Sequence, residues 1–324
     1  MAIGPRPTIR AAAVQLEARL GDVDWNLEQC ARLVAEAARE GAEWIVLPEF
    51  FPSGAAFRPD LDDRALPPDG AATGLLRDVA REHGAHVGGS FLCLDGDGHV
   101  RNAFLLAGPD GGIAGRHDKD LPTMWESALY IGGGDPGLIA AGGLGVGVAL
   151  CWELMRTETV RRLRGRVDLV LGGSNWWSIP ALPPRRLTAR LEAANRRRAV
   201  AAAPLFAPLV GAPVVHGAQS GAFNCLWPGL PAIYHGHFEG GASITGGDGR
   251  VLALRRREEG PGVAVADVAT GRGAGASPPD RFWLHRRGAV AALAWAYQNP
   301  LGRRHYRRAR ERRLAAADRA RTAR

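Results

Sequence analysis

The chain of 324 residues is poor in several features, and each scarcity excludes a class of protein. Its four cysteines are widely spaced, which excludes a disulfide framework or a cysteine-based metal site and predicts a reduced, cytoplasmic setting. The longest apolar stretch, residues 199–215, contains Pro204, Pro208 and Pro213, so we do not expect a membrane helix. The first seven residues lack the apolar core of a signal peptide.

Lysine is the scarcest cation of this chain. Lysine and arginine number 41 together, and Lys119 is the single lysine. Arginine is permanently protonated, whereas the compact lysine ammonium adjusts its pKa when it is buried. We therefore interpret Lys119 as a chemical group, and the alternative is a loop lysine that is there by chance.

Two short apolar runs end in reactive side chains. Residues 44–48 precede Glu49, and residues 144–150 precede Cys151. Such runs predict strands buried on both faces, and active groups gather at the carboxyl ends of strands in sheets of this kind. Glu49, Lys119 and Cys151 would then supply a base, an electrophilic stabiliser and a nucleophile. The alternatives are a packed thiol for Cys151 and a structural salt bridge for Glu49.

Three motifs, in the same order, resemble the nitrilase superfamily of carbon-nitrogen hydrolases over about residues 8–268. Residues 13–16 (Ala-Val-Gln-Leu) and 47–50 (Leu-Pro-Glu-Phe) resemble the opening strand and the glutamate motif of the family. Lys119, Pro122, Thr123 and Glu126 are similar to the lysine motif of the nitrilase branch, Lys-x-x-Pro-Thr-x-x-Glu. Residues 150–153 (Leu-Cys-Trp-Glu) match its nucleophile motif.

The resemblance implies a catalytic triad of Glu49, Lys119 and Cys151. Glu49 would take the thiol proton, hand it to the departing nitrogen and then activate water against a thioester. Lys119 would stabilise the tetrahedral intermediate together with the backbone N–H of Trp152. The resemblance also implies that Glu126 positions the substrate or the lysine. The alternative for Glu126 is a carboxylate that only caps the turn after Pro122-Thr123.

The segment after the nucleophile separates two branches of the superfamily. It reads Leu-Met-Arg-Thr-Glu from residue 154, whereas typical nitrilases carry an Asn-Tyr-Met-Pro-like segment. Arg156 could stand for an arginine of the amidase branches. We expect an amidase that converts a small carboxamide to acid and ammonia, with a nitrilase as the close rival and a non-catalytic assembly protein as the third alternative. No residue spacing implies a metal or an organic cofactor.

Aromatic residues near the strand ends predict the walls of a substrate pocket. Residues 167–173 predict a further buried strand, and Ser-Asn-Trp-Trp follows it. We expect Trp125, Trp152, Asn175 and Trp176 to contact the substrate, because small-molecule sites combine apolar walls with a few polar groups. Packing in the core is the alternative for the indoles, and we favour it for Trp177.

Strand and helix patterns alternate along the chain and predict an α/β protein. They place a strand near residues 9–16, a helix near 25–39, a meander over 86–114, helices near 157–164 and 185–201, and a hairpin over 241–255. The family resemblance implies the four-layer α-β-β-α sandwich with two central sheets.

The composition changes near residue 285. We predict a carbon-nitrogen hydrolase domain over residues 1–285 and a helical, arginine-rich arm over residues 286–324, which supplies much of the net charge of +8. A basic run can bind nucleic acid, but Tyr306 is the single aromatic residue in the run after Pro300 and no nucleic-acid-binding fold is recognised. We therefore expect the arm to cross a partner subunit in a homo-oligomer.

Overall fold

The computed structural model describes residues 7–286 and 288–322, and strands and helices alternate through this part of the chain. Its strands are β1 (Thr8–Leu16), β2 (Trp44–Val46), β3 (His86–Leu94), β4 (Val100–Ala107), β5 (Ile113–Asp118), β6 (Leu138–Ala141), β7 (Leu144–Val148), β8 (Leu169–Ser174), β9 (Val214–Leu226), β10 (Ile233–Thr245), β11 (Val251–Arg256) and β12 (Gly262–Ala269). Its α-helices are α1 (Val23–Arg39), α2 (Ala71–His83), α3 (Thr157–Leu163), α4 (Arg185–Val210) and α5 (Ala289–Thr322). Short 3-10 helices span Pro59–Leu61, Met124–Ala128, Cys151–Met155 and Arg257–Glu259.

The strands form two half-sheets that meet at the end of β1. The pairing order is β5-β4-β3-β2-β1-β9-β8-β7-β6, with β12 antiparallel to β1 and with β10 between β9 and β11. Strand β1 joins β9 only through the pairs Gln15–Ala218 and Leu16–Gln219. This short link turns one half-sheet over the other.

Alternate side chains of each half-sheet face different layers. In β1, Ala12 and Val14 pack in the same cluster as α1 and α2, whereas Ala11 and Ala13 pack against the second half-sheet. In β8, Val170 packs in the cluster of α3 and α4, and its two neighbours face the first half-sheet. The layers therefore run helix, sheet, sheet, helix, and the predicted four-layer sandwich is confirmed.

Helix α4 is longer than the sequence predicts. The expected end near residue 201 is wrong, because the helix continues through Pro204 and Pro208 to Val210 and ends at Gly211, whose φ is 80°. Its second half buries Phe206 and Val210 against the second half-sheet. Proline disfavours a helix interior, but burial of this apolar face outweighs that cost.

The predicted arm is a helix that lies on its own chain. Gly302 of α5 approaches the 3-10 helix Met124–Ala128 so closely that a Cβ there would lie 2.1 Å from the Ser127 hydroxyl oxygen. Farther along, Tyr306 accepts a hydrogen bond from the Val100 N–H at 3.0 Å, and His305 lies 2.8 Å from Asp62. Contact with a partner subunit stays a prediction. Residues 1–6, 287 and 323–324 of the predicted domains lie outside the described residues, as does most of the segment tested for a signal peptide.

Within residues 7–286 and 288–322, no helix combines the length and the apolar character needed to cross a membrane.

Candidate active site

The reactive side chains predicted from the sequence lie just beyond the ends of four strands. Glu49 follows β2, Lys119 follows β5, Cys151 follows β7 and Asn175 follows β8. Strand β2 is parallel to its neighbours β1 and β3, β7 is parallel to β8, and β1 is parallel to β9 where the half-sheets join. Their carboxyl ends therefore open onto one shared crevice, where active groups of α/β sheets gather.

The backbone at this crevice is strained. In the described residues, the non-glycine positions with positive φ are Phe50 (55°), Met124 (55°) and Cys151 (49°). These residues lie in the turns that carry Glu49, Glu126 and Cys151, and such conformations cost about 1–3 kcal/mol apiece. The strand expected to reach Cys151 ends earlier, at Val148, because Cys151 begins a 3-10 turn in this left-handed conformation.

A glycine allows β8 to come close to the Glu49 turn. A Cβ at Gly173 would lie 2.6 Å from the backbone nitrogen of Glu49. Two residues later, the Asn175 N–H donates to Glu49 Oε2 at 3.0 Å, and the Asn175 side chain donates to the Ala55 carbonyl at 2.9 Å. Close strand packing thus fixes one oxygen of the Glu49 carboxylate.

Lys119 bridges two carboxylates in the interior of the protein. Its Nζ lies 2.8 Å from Glu49 Oε1 and 2.7 Å from Glu126 Oε2, and all three side chains are buried. Glu49 Oε1 also accepts from Asn102 Nδ2 at 2.9 Å. Glu49 is therefore in a buried salt bridge, and its role as a catalytic base stays a prediction.

Glu126 contacts both Lys119 and the turn that follows Pro122-Thr123. Its Oε2 caps the turn by accepting from the Thr123 N–H at 2.9 Å, and it also accepts from the Tyr130 hydroxyl. The same oxygen binds Lys119. The other oxygen, Oε1, is buried without a hydrogen-bond partner among the described residues, and Glu126 lines the cavity beside Cys151.

Burial and the neighbouring charges shift the pKa values of Glu49, Lys119 and Cys151. Burial raises the pKa of Glu49 to about 7, with Lys119 opposing the rise and Glu126 adding to it. Burial alone would lower the pKa of Lys119, but Glu126 and Glu49 raise it well above its usual range. Burial and the charge of Glu49 raise the pKa of the Cys151 thiol. The resting site therefore contains an ammonium, a protonated thiol and a carboxyl group that exchanges its proton near neutral pH.

A second buried cluster lies behind the nucleophile turn, and sequence reasoning missed it. Glu153 accepts from the Leu150 N–H at 2.9 Å and from the Asp120 N–H at 3.1 Å, so it links the turns of Cys151 and Lys119. His117 Nε2 lies 3.1 Å from Glu153 Oε2. A carboxylate two residues after the predicted nucleophile and a histidine inside the strand before Lys119 were the available signals.

Two cations neutralise Glu153. Burial alone would raise its pKa, but His117 and Arg162, whose Nη2 is 3.3 Å away, hold the pKa below its usual range. Burial would likewise lower the pKa of His117, yet the carboxylates of Glu153 and Asp135 raise it to about 10. Asp135 Oδ1 lies 2.6 Å from His117 Nδ1. This cluster therefore keeps fixed charges at neutral pH.

Arg156 does not line the cavity. Its Nη1 lies 2.5 Å from Asp120 Oδ1, and its guanidinium lies 4.7 Å from the centre of the Phe282 ring. It supports the turn that carries Lys119, so the structure does not place it where a substrate-binding arginine would be.

A cavity of about 270 Å³ opens beside Cys151. The four predicted pocket residues all line it, namely Trp125, Trp152, Asn175 and Trp176. Trp177, for which we favoured the core, lines it as well. Further walls were not predicted and come from distant parts of the chain, including Trp227, Tyr234 and four residues of α5, namely Val290, Ala291, Ala294 and Gln298.

One group of side chains away from the triad has the composition of a metal site. Ligand atoms of Glu192, His237 and Glu239 lie within 4.8 Å of one another. Arg257 Nη1 lies 3.1 Å from Glu239 Oε2, and Asn195 donates to Glu239 Oε1 at 2.7 Å. These hydrogen bonds already engage the carboxylates, so we interpret the group as an ion-pair network between α4 and β10.

Similarity to known proteins identifies the family. A profile of the family described as Carbon-nitrogen hydrolase matches residues 10–276. The chain belongs to the carbon-nitrogen hydrolase family. This confirms the resemblance to the nitrilase superfamily that the three motifs indicated.

Curated relatives of this hydrolase-family chain match it over about half its length. A nitrilase of Pyrococcus abyssi is 31% identical over 160 residues, which cover 48% of this chain and 60% of the relative. The omega-amidase NIT2 of Mus musculus is 30% identical over 162 residues, which cover 47% of this chain and 57% of the relative. In both alignments the chain spans less than two thirds of the relative's length.

Solved structures share the fold over most of this family member. A carbon-nitrogen hydrolase from Helicobacter pylori G27 aligns with a TM-score of 0.65 and 19% identity, covering 81% of this chain and 89% of the other. An amidase from Nesterenkonia sp. AN1, in a form with the acetamide moiety of fluoroacetamide added to its active-site cysteine, aligns with a TM-score of 0.61 and 21% identity over 82% and 91% of the two chains. These likenesses confirm the fold.

Proposed function

We propose that this family member is a cysteine-dependent amidase that converts a small carboxamide to a carboxylic acid and ammonia through a thioester. The proposal depends on one observation above all, the buried ammonium of Lys119 between Glu49 and Glu126 at 2.8 and 2.7 Å, beside the Cys151 thiol. Nitrilase and omega-amidase relatives, and an amidase whose cysteine bears a covalent adduct, support it.

The first half of the reaction forms the thioester. Glu49 takes the proton of the Cys151 thiol, and the sulfur attacks the amide carbon. Lys119 and the Trp152 N–H stabilise the negative oxygen of the tetrahedral intermediate. Glu49 then gives its proton to the nitrogen, the carbon–nitrogen bond breaks, and ammonia leaves.

The second half of the reaction regenerates the enzyme. Glu49 takes a proton from water, and the resulting hydroxide attacks the thioester carbon. The carbon–sulfur bond breaks, and Glu49 returns the proton to Cys151. A carboxyl group with a pKa of about 7 suits these alternating roles, because a base and acid works best when its pKa lies near the working pH.

The free oxygen of Glu126 supports an amide over a nitrile. Glu126 Oε1 is buried, has no hydrogen-bond partner among the described residues and belongs to a residue that lines the cavity. A carboxamide N–H would donate to it, whereas a nitrile carries no donor. Leaving such a buried acceptor unpaired is costly.

Ammonia release from paired amides and nitriles that share one acyl group tests the proposal. We expect the amide to be hydrolysed at least about tenfold faster than its nitrile, and we expect Cys151→Ala to lower turnover by about 10³-fold or more. Cys30→Ala, a substitution at a buried cysteine of the α1 layer, is the matched control and should keep full turnover.

Three results would contradict the proposal in different ways. Turnover in pure Cys151→Ala would refute the nucleophile. Faster hydrolysis of the nitriles would favour the nitrilase alternative. Binding of amides and nitriles without any release of ammonia would favour a non-catalytic assembly protein.

Assembly and location are part of the same proposal. We expect a homo-oligomer with α5 at the subunit contact, and light scattering of the full chain and of a chain ending at Pro300 tests this, because equal subunit numbers would refute a role for the arm. The four cysteines are free thiols, which supports a reducing, cytoplasmic setting.

A further inference from the structure

The cavity beside Cys151 has walls of aromatic and aliphatic side chains. Indole rings line it at Trp125, Trp152, Trp176 and Trp177, and the ring centres of Trp125 and Trp177 lie 4.2 Å apart. Resting on the proposed amidase function, we infer that the acyl group of the substrate is uncharged and apolar, with the bulk of one aromatic ring or a branched hydrocarbon, and that α5 sets its maximum size.

The lining offers no cation to a negatively charged acyl group. Glu126 is the one carboxylate among the lining residues, and it shares the ammonium of Lys119 with Glu49. No arginine, lysine or histidine of residues 7–286 and 288–322 lines the cavity. A carboxylate on the substrate would lose its water there without gaining a cation, and an isolated buried charge is strongly disfavoured.

One indole of the cavity wall, that of Trp176, is held in place through Asn195, which also lines the cavity. Trp176 Nε1 donates to Asn195 Oδ1 at 3.0 Å. The Asn195 amide in turn donates to the Trp177 carbonyl at 2.8 Å and to Glu239 at 2.7 Å. A wall fixed in this way selects by shape, because it cannot open for a larger group without breaking buried hydrogen bonds.

Helix α5 contributes Gln298 and three smaller side chains to the cavity wall. Val290, Ala291 and Ala294 line the cavity, and Gly302 holds the helix close to the turn that carries Glu126. The cavity volume of about 270 Å³ is at the small end of the range for small-molecule sites. One added branched side chain at Ala294 would therefore occupy space that a ring or a branched acyl group needs.

A pair of isosteric amides tests the charge argument without any variant. Isocaproamide ends in an isopropyl group, and succinamate ends in a carboxylate of similar size and shape. We expect kcat/KM for isocaproamide to exceed that for succinamate by about 100-fold or more. Equal or faster hydrolysis of succinamate would overturn this inference and leave the amidase proposal intact, and so would hydrolysis of propionamide with neither isostere turned over. Absence of ammonia from every amide would refute the proposed function itself.

A matched pair of variants tests the role of α5. Ala294→Leu fills the cavity, whereas Ala296→Leu makes the same change at an exposed position of the same helix. We expect Ala294→Leu to lower kcat/KM for phenylacetamide by about tenfold or more while changing that for propionamide by less than about threefold. Ala296→Leu should leave both values unchanged. Equal losses on both substrates in a folded Ala294→Leu protein would contradict the role of α5 as the size-limiting wall.

Discussion

Two buried glutamates of this protein, Glu49 and Glu153, have similar positions in the fold, but their pKa values are shifted in opposite directions. Both side chains are almost wholly buried, both follow apolar strands, and each accepts a backbone N–H from a neighbouring turn, that of Asn175 for Glu49 and that of Asp120 for Glu153. Glu49 shares its one cation, Lys119, with Glu126, whereas Glu153 has two cations, His117 and Arg162.

The number of cations decides what each carboxylate can do. Because Glu49 shares Lys119 with Glu126, the single ammonium does not offset burial, which raises the pKa of Glu49 to about 7. With two cations, Glu153 has a pKa below the usual range despite the same burial. A proton can therefore enter and leave Glu49 near neutral pH, whereas Glu153 stays an anion that links the turns carrying Lys119 and Cys151.

The largest expected effect comes from removing the charge of Glu49. Glu49→Gln should lower kcat/KM for the best amide by about 10³-fold or more, because the thiol then has no base. We expect no loss of stability, since the variant removes a carboxylate that lacks a full counter-charge. Steady-state ammonia release and urea unfolding measure the two quantities. Activity within tenfold of the wild type would show that Glu49 is not the base.

Removing the charge of Glu153 should act mainly on stability. Glu153→Gln leaves Arg162 without a carboxylate partner and leaves His117 with Asp135 alone, so we expect the free energy of unfolding to fall by about 3–5 kcal/mol. The matched control Glu158→Gln lies on the exposed face of α3 and should change it by less than about 0.5 kcal/mol.

The same variant has a pH signature. A carboxylate with a lowered pKa stabilises the fold above its ordinary pKa of about 4.5, and that contribution is lost as the pH falls. The stability difference between wild type and Glu153→Gln should therefore shrink below about pH 4.5. An unchanged difference down to the lowest pH at which both proteins fold would refute the charge explanation.

The smallest effect is the pH dependence of the wild-type reaction. Glu49 must be ionised to accept the thiol proton, so kcat/KM should rise with pH through about 7 and fall by about tenfold per unit below it. Initial rates on an amide that does not titrate, taken from pH 5 to 9 at constant ionic strength, give this profile. A flat profile between about pH 6 and 8 would place the proton on another group.

The sequence predicted those parts of the site that depend on local patterns. Glu49 and Cys151 stand out because each follows an apolar run, and Lys119 stands out because the chain has no other lysine. The structure brings the three together through strand pairing. The family resemblance, not the residue pattern, supplied the sandwich of two sheets.

The unpredicted parts depend on contacts between distant segments. No local pattern shows that His117 and Arg162 meet Glu153, or that α5 returns to the turn carrying Glu126. Helix α4 was cut short in the prediction because local propensity penalises Pro204 and Pro208, and the packing of Phe206 and Val210 that outweighs this penalty is a tertiary effect.

One wall of the cavity lies on α5, so the shape of the cavity and the set of reactive side chains belong to different elements of the chain. Ala294 and its neighbours lie on an element that carries none of Glu49, Lys119 and Cys151. Substitutions in this one helix can therefore change which molecules fit the cavity, while the side chains of Glu49, Lys119 and Cys151 stay unchanged.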